Sequence, residues 1–284
     1  MAASMKDIKL RINSVTSTMQ ITKAMELVAS SKLRRAQERI AKSRPYFETL
    51  YQTLSDIAAR NGDTTSPYTQ QREVKRVCWI VIAGDRGLAG GYNNNVLKLA
   101  LAGMQDRDAV VLPIGKKAVE FFRRRQIPIL TELYAEAGEV TVGDCFSLAH
   151  MLCKGFCAGD FDEIHIAFTT FVSVLSQEPT SLQLLPRMAA SCPVREPGAA
   201  RQLVTYEPDS GTVYDAIVPE YLGGLVYGAL CESLASELGA RRTAMDSATK
   251  NAEEMIEDLN LRYNRARQGA ITQEITEIVA GAQD

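Results

Sequence analysis

"IKLRINSVTSTMQITKAMELVASSKLRRAQ", residues 8–37, decides the fold. Stepping four then three from Ile8 gives Ile12, Val15, Met19, Thr22, Glu26, Ala29, Leu33 and Ala36. Beyond the quoted stretch the same stepping reaches Ile40, Ser43, Phe47, Leu50, Leu54 and Ile57, and twelve of these fifteen positions are apolar. A seam held on the heptad period over that distance predicts a coiled-coil helix rather than an ordinary surface helix. At ~1.5 Å per residue, residues 5–58 would span about 80 Å. Pro45 in "SRPY" removes one helix hydrogen bond, so a kink or break is expected near Ser43. "NGDTTSP" (61–67) then ends the helix.

The other end of the chain carries a similar seam. From Leu234 it runs through Leu238, Arg241, Met245, Ala248, Ala252, Met255, Leu259, Arg262 and Ala266, eight of ten apolar and mostly smaller. Pro219 is a plausible first-turn residue for this helix. Glycines at 223, 224, 228, 239 and 269 weaken it intrinsically, so its straightness has to come from packing. Two long helices separated by a folded insert pair most simply as an antiparallel coiled coil. Charge favours their meeting: residues 1–60 hold eleven Lys/Arg against five Asp/Glu, and residues 211–284 hold six against twelve.

Between them, residues 74–210 alternate strand and helix. "RVCWIVIAG" (76–84), "AVVLPIG" (109–115) and "EIHIAFTTFV" (163–172) read as buried strands. "NVLKLALAGM" (95–104), "KKAVEFFRRR" (116–125) and "CFSLAHMLCKGFC" (145–157) have helical spacing. The alternation predicts a mostly parallel, Rossmann-like sheet with helices on its faces. "SLQLLP" (181–186) and "QLVTYEP" (202–208) add a hairpin or edge strands. The expected division is 1–60, 74–210 and 211–284, an α/β fold with a central domain carried by a long helix pair.

Several function classes are excluded at this level. A net charge of −2 argues against a general nucleic-acid binder. No apolar run approaches the ~18–20 residues of a membrane span, and "MAASMKDIKL" lacks the apolar core of a secretory signal. Six cysteines in a chain of 284 residues do not make a disulfide framework and read as reduced thiols. "AGDRGLAGGYN" (83–93) stands where a nucleotide loop would, but its glycines do not make G-x-G-x-x-G, and no P-loop occurs anywhere. It reads as a glycine-rich strand-to-helix turn. Cys145, His150, Cys153 and Cys157 invite a metal reading, yet seven residues of helix is ~10 Å, too long for one ion's ligand shell. They read as a helix face packed on the sheet. His150 and His165, the two histidines, lie in apolar runs that look like helix and strand interior, and no nucleophile elbow or HExxH appears. No catalytic residue, metal or cofactor is assigned. Lys32, Arg35 and Arg39 line one side of the first helix, either as a solvated face or as a dock for an acidic partner.

The stretch 8–37, "GDRGLAGGYN" (84–93) and "SELGARRTAMDSATKNAEEMIEDLNLRYNRARQGAITQEITEIVAGA" (236–282) together resemble the gamma subunit of F-type ATP synthase in its bacterial form. The similarity runs along the whole chain and is densest at its ends. Gly84 and Ala89 stand where that family commonly has Ser and Cys, and Arg242 where Met is usual. The cysteine-bearing insert of the chloroplast form is absent, so thiol regulation is not implied.

The resemblance implies a non-catalytic rotor shaft in a proton- or sodium-driven synthase. Its helices would stand inside a ring of alpha and beta subunits, and its α/β domain would sit below, touching epsilon and the c-ring. The membrane would be reached only through that complex, at the cytoplasmic face of the bacterial inner membrane. By matching positions, Met25, Lys32 and Arg35 would lie near acidic levers of beta. Arg241, Gln268, Thr272 and Glu274 would couple the helices to each other and to catch loops of beta. Tyr206 would belong to the foot, near epsilon and the c-ring. "ITQEITEIVAGAQD" (271–284) has no Lys or Arg to complement the helix dipole. It reads either as a frayed end or as a smooth tip turning inside a protein collar. A nucleotide-dependent enzyme and a homodimeric scaffold are the rival classes; the missing phosphate motifs count against the first, and the second leaves the central insert and the helix tip unexplained.

Overall fold

A computed structural model describes residues 5–60, 66–105, 107–186 and 206–281. Its elements are α1 (Met5–Arg60), β1 (Arg76–Ile82), α2 (Tyr92–Gly103), β2 (Asp108–Ile114), α3 (Lys116–Arg124), α4 (Val142–Ala158), β3 (Glu163–Phe171), β4 (Gln177–Leu185) and α5 (Ser210–Gly281). They divide into two compact units, Met1–Ser31 with Arg241–Asp284, and Lys32–Ala240.

The first unit is a pair of helices. Thr22 Oγ1 and Thr249 Oγ1 lie 2.8 Å apart, both buried, and this contact fixes the register. Stepping down α1 while stepping up α5 then sets Met19 against Ala252, Val15 against Ile256, Ile12 against Leu259 and Ile8 against Tyr263. In the other direction it sets Glu26 against Met245. Every one of these residues is buried or half-buried. A parallel pairing from the same threonines would instead bring the exposed Glu253 to Glu26, a like charge. The pair is antiparallel.

The α1 seam matches its heptad reading position by position as far as Ile40. The α5 seam does not. Met245, Ala252, Leu259 and Ala266 face inward as expected, but the alternate positions fall one residue later, at Thr249, Ile256, Tyr263 and Ala270. Met255 is 45% exposed, and Arg262 turns outward to Asp258 at 2.8 Å. Adjacent apolar pairs such as Met255–Ile256 make both phases look equally apolar, so only the partner helix selects one.

An interruption at Pro45 and a helix start at Pro219 are both corrected. α1 runs unbroken through Pro45, and α5 begins at Ser210 with Pro219 inside it. Proline deletes one donor, a local loss that a helix packed on both sides of it survives. Asp209 starts α5, accepting Thr212 N–H at 2.8 Å and the Thr212 hydroxyl at 2.7 Å. These bonds hold its carboxyl below the usual carboxylate range.

The second unit is the sheet domain. Strand order is β2-β1-β3-β4, with β1 parallel to both neighbours and β4 antiparallel to β3. β4 thus contains 181–185 of the expected edge segment 181–186, whereas most of 202–208 lies outside the described residues. Alternation along β1 makes two cores. Cys78, Ile80 and Ile82 pack with α4, with Leu54 and Ile57 of α1, and with Tyr214 to Leu230 of α5. Val77, Trp79 and Val81 pack under α2 and α3 with Val96, Ala100 and Phe122. Thr141 caps α4 in a capping box with Asp144.

Gly115, between β2 and α3, has φ +99°, and a Cβ there would collide with the Ala83 carbonyl oxygen. Gly115→Ala should lower unfolding free energy by about 2 kcal/mol or more, from positive φ plus a backbone clash. Urea denaturation of the purified protein measures it, and an unchanged midpoint would contradict the close approach.

Candidate functional site

The loop after β1 is where a ligand would be sought first. Asp85 fills it. Its Oδ1 accepts Lys116 N–H at 3.1 Å, at the start of α3, and Ala137 N–H at 3.0 Å, and its Oδ2 accepts Gly138 N–H at 3.1 Å. A helix N-terminus that would welcome a phosphate is therefore satisfied by the chain's own carboxylate. Asn93 closes the loop, accepting Gly84 N–H at 2.8 Å and donating to Arg86 O at 3.2 Å. The geometry is that of a self-contained turn.

The cysteine-bearing helix is split by burial. Cys145 and Cys153 are buried in the core, while Cys157 is exposed. His150, expected in the interior, points outward and meets Glu220 Oε1 of α5 at 3.1 Å. Each residue turns the helix by ~100°, so the buried Ala149 and the exposed His150 stand side by side in sequence, a difference that the run of apolar neighbours concealed. His165 is half-buried, stacked on Trp79 at 4.7 Å and bonded to Glu163 at 2.9 Å. Among the described residues no group of three or more His, Cys, Asp or Glu could hold a metal ion. Burial pushes the Cys78, Cys145 and Cys153 thiols up to about 12. For Cys153 a Tyr68 hydrogen bond opposes that rise in part.

The residues assigned to partner contact lie on the helices, apart from Tyr206. Met25 is half-buried beside the seam, and Lys32 and Arg35 are exposed on α1. Arg241 is half-buried, and Gln268, Thr272 and Glu274 are exposed on α5. Thr272 Oγ1 donates to Gln268 O at 2.9 Å, so these two form one local patch. Tyr206 is half-buried against the core of the sheet unit, distinct from the helix-borne residues.

Among the described residues of the helix pair, two faces carry apolar side chains without covering. Past residue 266, the register partner of Met5, α5 presents Ile271, Ile275 and Ile278, exposed by 48%, 56% and 71%. They share one face at i, i+4 and i+7. On α1, Leu10, Ile21 and Val28 are exposed by 60%, 60% and 55% on the side opposite the seam. The α1 stripe was not anticipated. Its signal in the sequence is the spacing of eleven and then seven residues, which returns to one helix face. Among the described residues, no helix is long and apolar enough to cross a membrane.

At pH 8, a thiol held near 12 is about one part in ten thousand thiolate. Iodoacetamide should therefore modify the exposed Cys157 well before Cys78, Cys145 and Cys153, which react only on unfolding. Peptide mass mapping over a time course reads the order, and early labelling of Cys145 would contradict the burial.

Comparison with known proteins follows the same lines. The ATP synthase family model designated ATP-synt matches residues 4–283. An ATP synthase gamma chain of Ruminococcus albus is 48% identical over 281 residues, covering 97% of this chain and 96% of the relative. A sodium-ion-specific ATP synthase gamma chain of Acetobacterium woodii is 42% identical, covering 100% and 99%. Among solved structures, a chain of the Euglena gracilis mitochondrial ATP synthase, from an OSCP/F1/c-ring assembly, aligns with a TM-score of 0.67 at 17% identity. It covers 98% of this chain and 93% of that one. A chain of the Euglena rotor aligns at 0.62 and 15%, covering 94% and 98%. At those identities the likeness is one of fold.

Proposed function

The chain belongs to the gamma chains of ATP synthase, and from that premise we propose that it is the non-catalytic rotor shaft of its complex. The observation that carries the proposal is the uncovered isoleucine face of α5 at Ile271, Ile275 and Ile278, continuing an antiparallel helix pair. Exposed branched aliphatics on a helix end have a physical use when a protein collar surrounds them. They offer contact area without a charge whose desolvated pairing would hold one orientation. The outward stripe of Leu10, Ile21 and Val28 serves in the same way along α1.

In this reading the helical segments 1–60 and 211–284 form the shaft, and 74–210 forms the foot. Met25, Lys32 and Arg35 meet acidic segments of beta. Arg241, Gln268, Thr272 and Glu274 couple to the catch loops, and Tyr206 serves the contact with epsilon and the c-ring. The alpha and beta ring hydrolyses or makes ATP, and the shaft carries torque between it and an ion-driven c-ring. Attachment is peripheral, at the cytoplasmic face of a bacterial inner membrane, through the complex alone.

Reconstitution tests this directly. The purified chain alone should hydrolyse no ATP, and adding it to its own alpha and beta subunits should yield a complex that rotates an attached bead. Lys32→Glu with Arg35→Glu should reduce torque-limited turnover several-fold while the complex still assembles, since charge reversal faces two acidic contacts. Failure of the wild-type chain to co-purify with alpha and beta would overturn the reading.

A further inference from the structure

Strand β1 ends at Ile82, and its pairing with β3 runs no further than Val81 opposite Ala167. Two residues on, Thr169 therefore has no strand on that side. Opposite Pro179 of β4 it stands in a non-hydrogen-bonded pair, so its N–H and carbonyl both point to the side where β1 has ended. The peptide groups of Thr169 are nevertheless both satisfied. Its N–H donates to Ser233 Oγ at 3.1 Å, and its carbonyl accepts Ser236 Oγ–H at 3.1 Å. The two serines lie three apart, on one face of α5, with 1% and 0% of their surface exposed. One helix turn thus takes the place of the missing strand and continues the ladder with side chains.

Close packing surrounds this joint. A Cβ on Gly239, one turn further along α5, would stand 3.4 Å from the Phe171 ring. A Cβ on Gly84, at the end of β1, would stand 2.8 Å from the Glu237 carboxylate, which is itself buried. Elsewhere in the sheet unit α5 meets its neighbours through a large apolar core, which is non-directional, and through side-chain pairs such as Ser66 with Asp215 and His150 with Glu220. Ser233 and Ser236 instead bond to backbone. Hydrogen bonds to a fixed peptide are directional in both distance and angle.

We propose that Ser233 and Ser236 are positioning residues that clasp the Thr169 peptide and fix α5 against rotation on the sheet. Torque between helix and foot passes through this clasp. The inference rests on the shaft reading above for its functional meaning, while the clasp itself is a property of the folded chain. The Thr169 hydroxyl is not part of it, being buried without a hydrogen-bond partner.

The test compares wild type, Ser233→Ala, Ser236→Ala, the double variant and Thr169→Val, each in the assembled complex. Hydrogen exchange at the Thr169 amide should accelerate about tenfold or more when Ser233 is lost. The double variant should show wider angular fluctuation of a bead on the stalled rotor and a lower ratio of ions pumped to ATP hydrolysed. Its ATPase turnover should fall far less. Thr169→Val keeps the peptide and should behave as wild type in all three measurements. Should the double variant fail to fold, the two single variants carry the same comparison. Wild-type amide protection and stiffness in either single and in the double variant overturn the clasp. A wild-type chain that never assembles with alpha and beta overturns the shaft reading instead, and the exchange result on the free chain still decides the clasp.

Discussion

Helix α5 runs 72 residues and contains seven glycines and a proline, so it cannot be held by its own propensity. Each interior glycine costs a helix about 1 kcal/mol relative to alanine, and proline about 3. What sustains it is side-by-side packing, and the same small residues that weaken it alone let other elements come close. Gly223 illustrates the exchange: a Cβ there would stand 2.5 Å from the Phe146 ring of α4. In the helix-pair unit Ala252 and Thr249 do the same for α1, the threonines approaching to 2.8 Å. One of the two sheet cores, the helix pair and the uncovered isoleucine face all include residues of this helix.

That dependence explains which parts of the structure were legible in the sequence. The α1 seam keeps one heptad phase from Ile8 to Ile57, and that long repeat makes its phase legible even with Leu10, Ile21 and Val28 between its positions. Along α5 the apolar set is dominated by alanine and by neighbouring apolar pairs, and two phases fit equally well until a partner is present. The strands were legible because fully buried parallel strands need unbroken apolar runs. Their edge partner was half legible, since Pro179 and exposed polar residues mark β4 as an edge. His150 was misplaced because its four nearest neighbours, Leu148, Ala149, Met151 and Leu152, are all apolar, while the helix turns it outward.

The residues proposed for partner contact divide along the same line. Lys32 and Arg35 could be recognised as an outward pair from spacing alone, because three and seven residues along a helix return to one side. Tyr206 could not be located that way. It lies just before α5, beside a segment with little periodicity, and only its packing against the sheet core places it. The serine pair was least legible. Two serines on a helix are ordinary, and their use follows from where β1 stops, a fact of tertiary structure with no local signal.

The position of that serine pair bears on why the fold carries no nucleotide motif. In open sheets of this kind, ligands bind beyond the carboxyl ends of the strands, where connections diverge to opposite faces. Here β1 lies between β2 and β3, so the crevice falls at the ends of β1 and β3. Both walls of it are occupied by the chain itself. Asp85 takes the backbone donors at the start of α3, as a bound anion would. α5 takes the other side, with Glu237 against Gly84 and Ser233 and Ser236 on Thr169. A sheet that elsewhere grips a small molecule by directional bonds here grips a helix of its own chain by the same kind of bond. A mount for α5 stands where such a sheet would hold a ligand, and the residues proposed to meet partners, Tyr206 apart, lie on the helices.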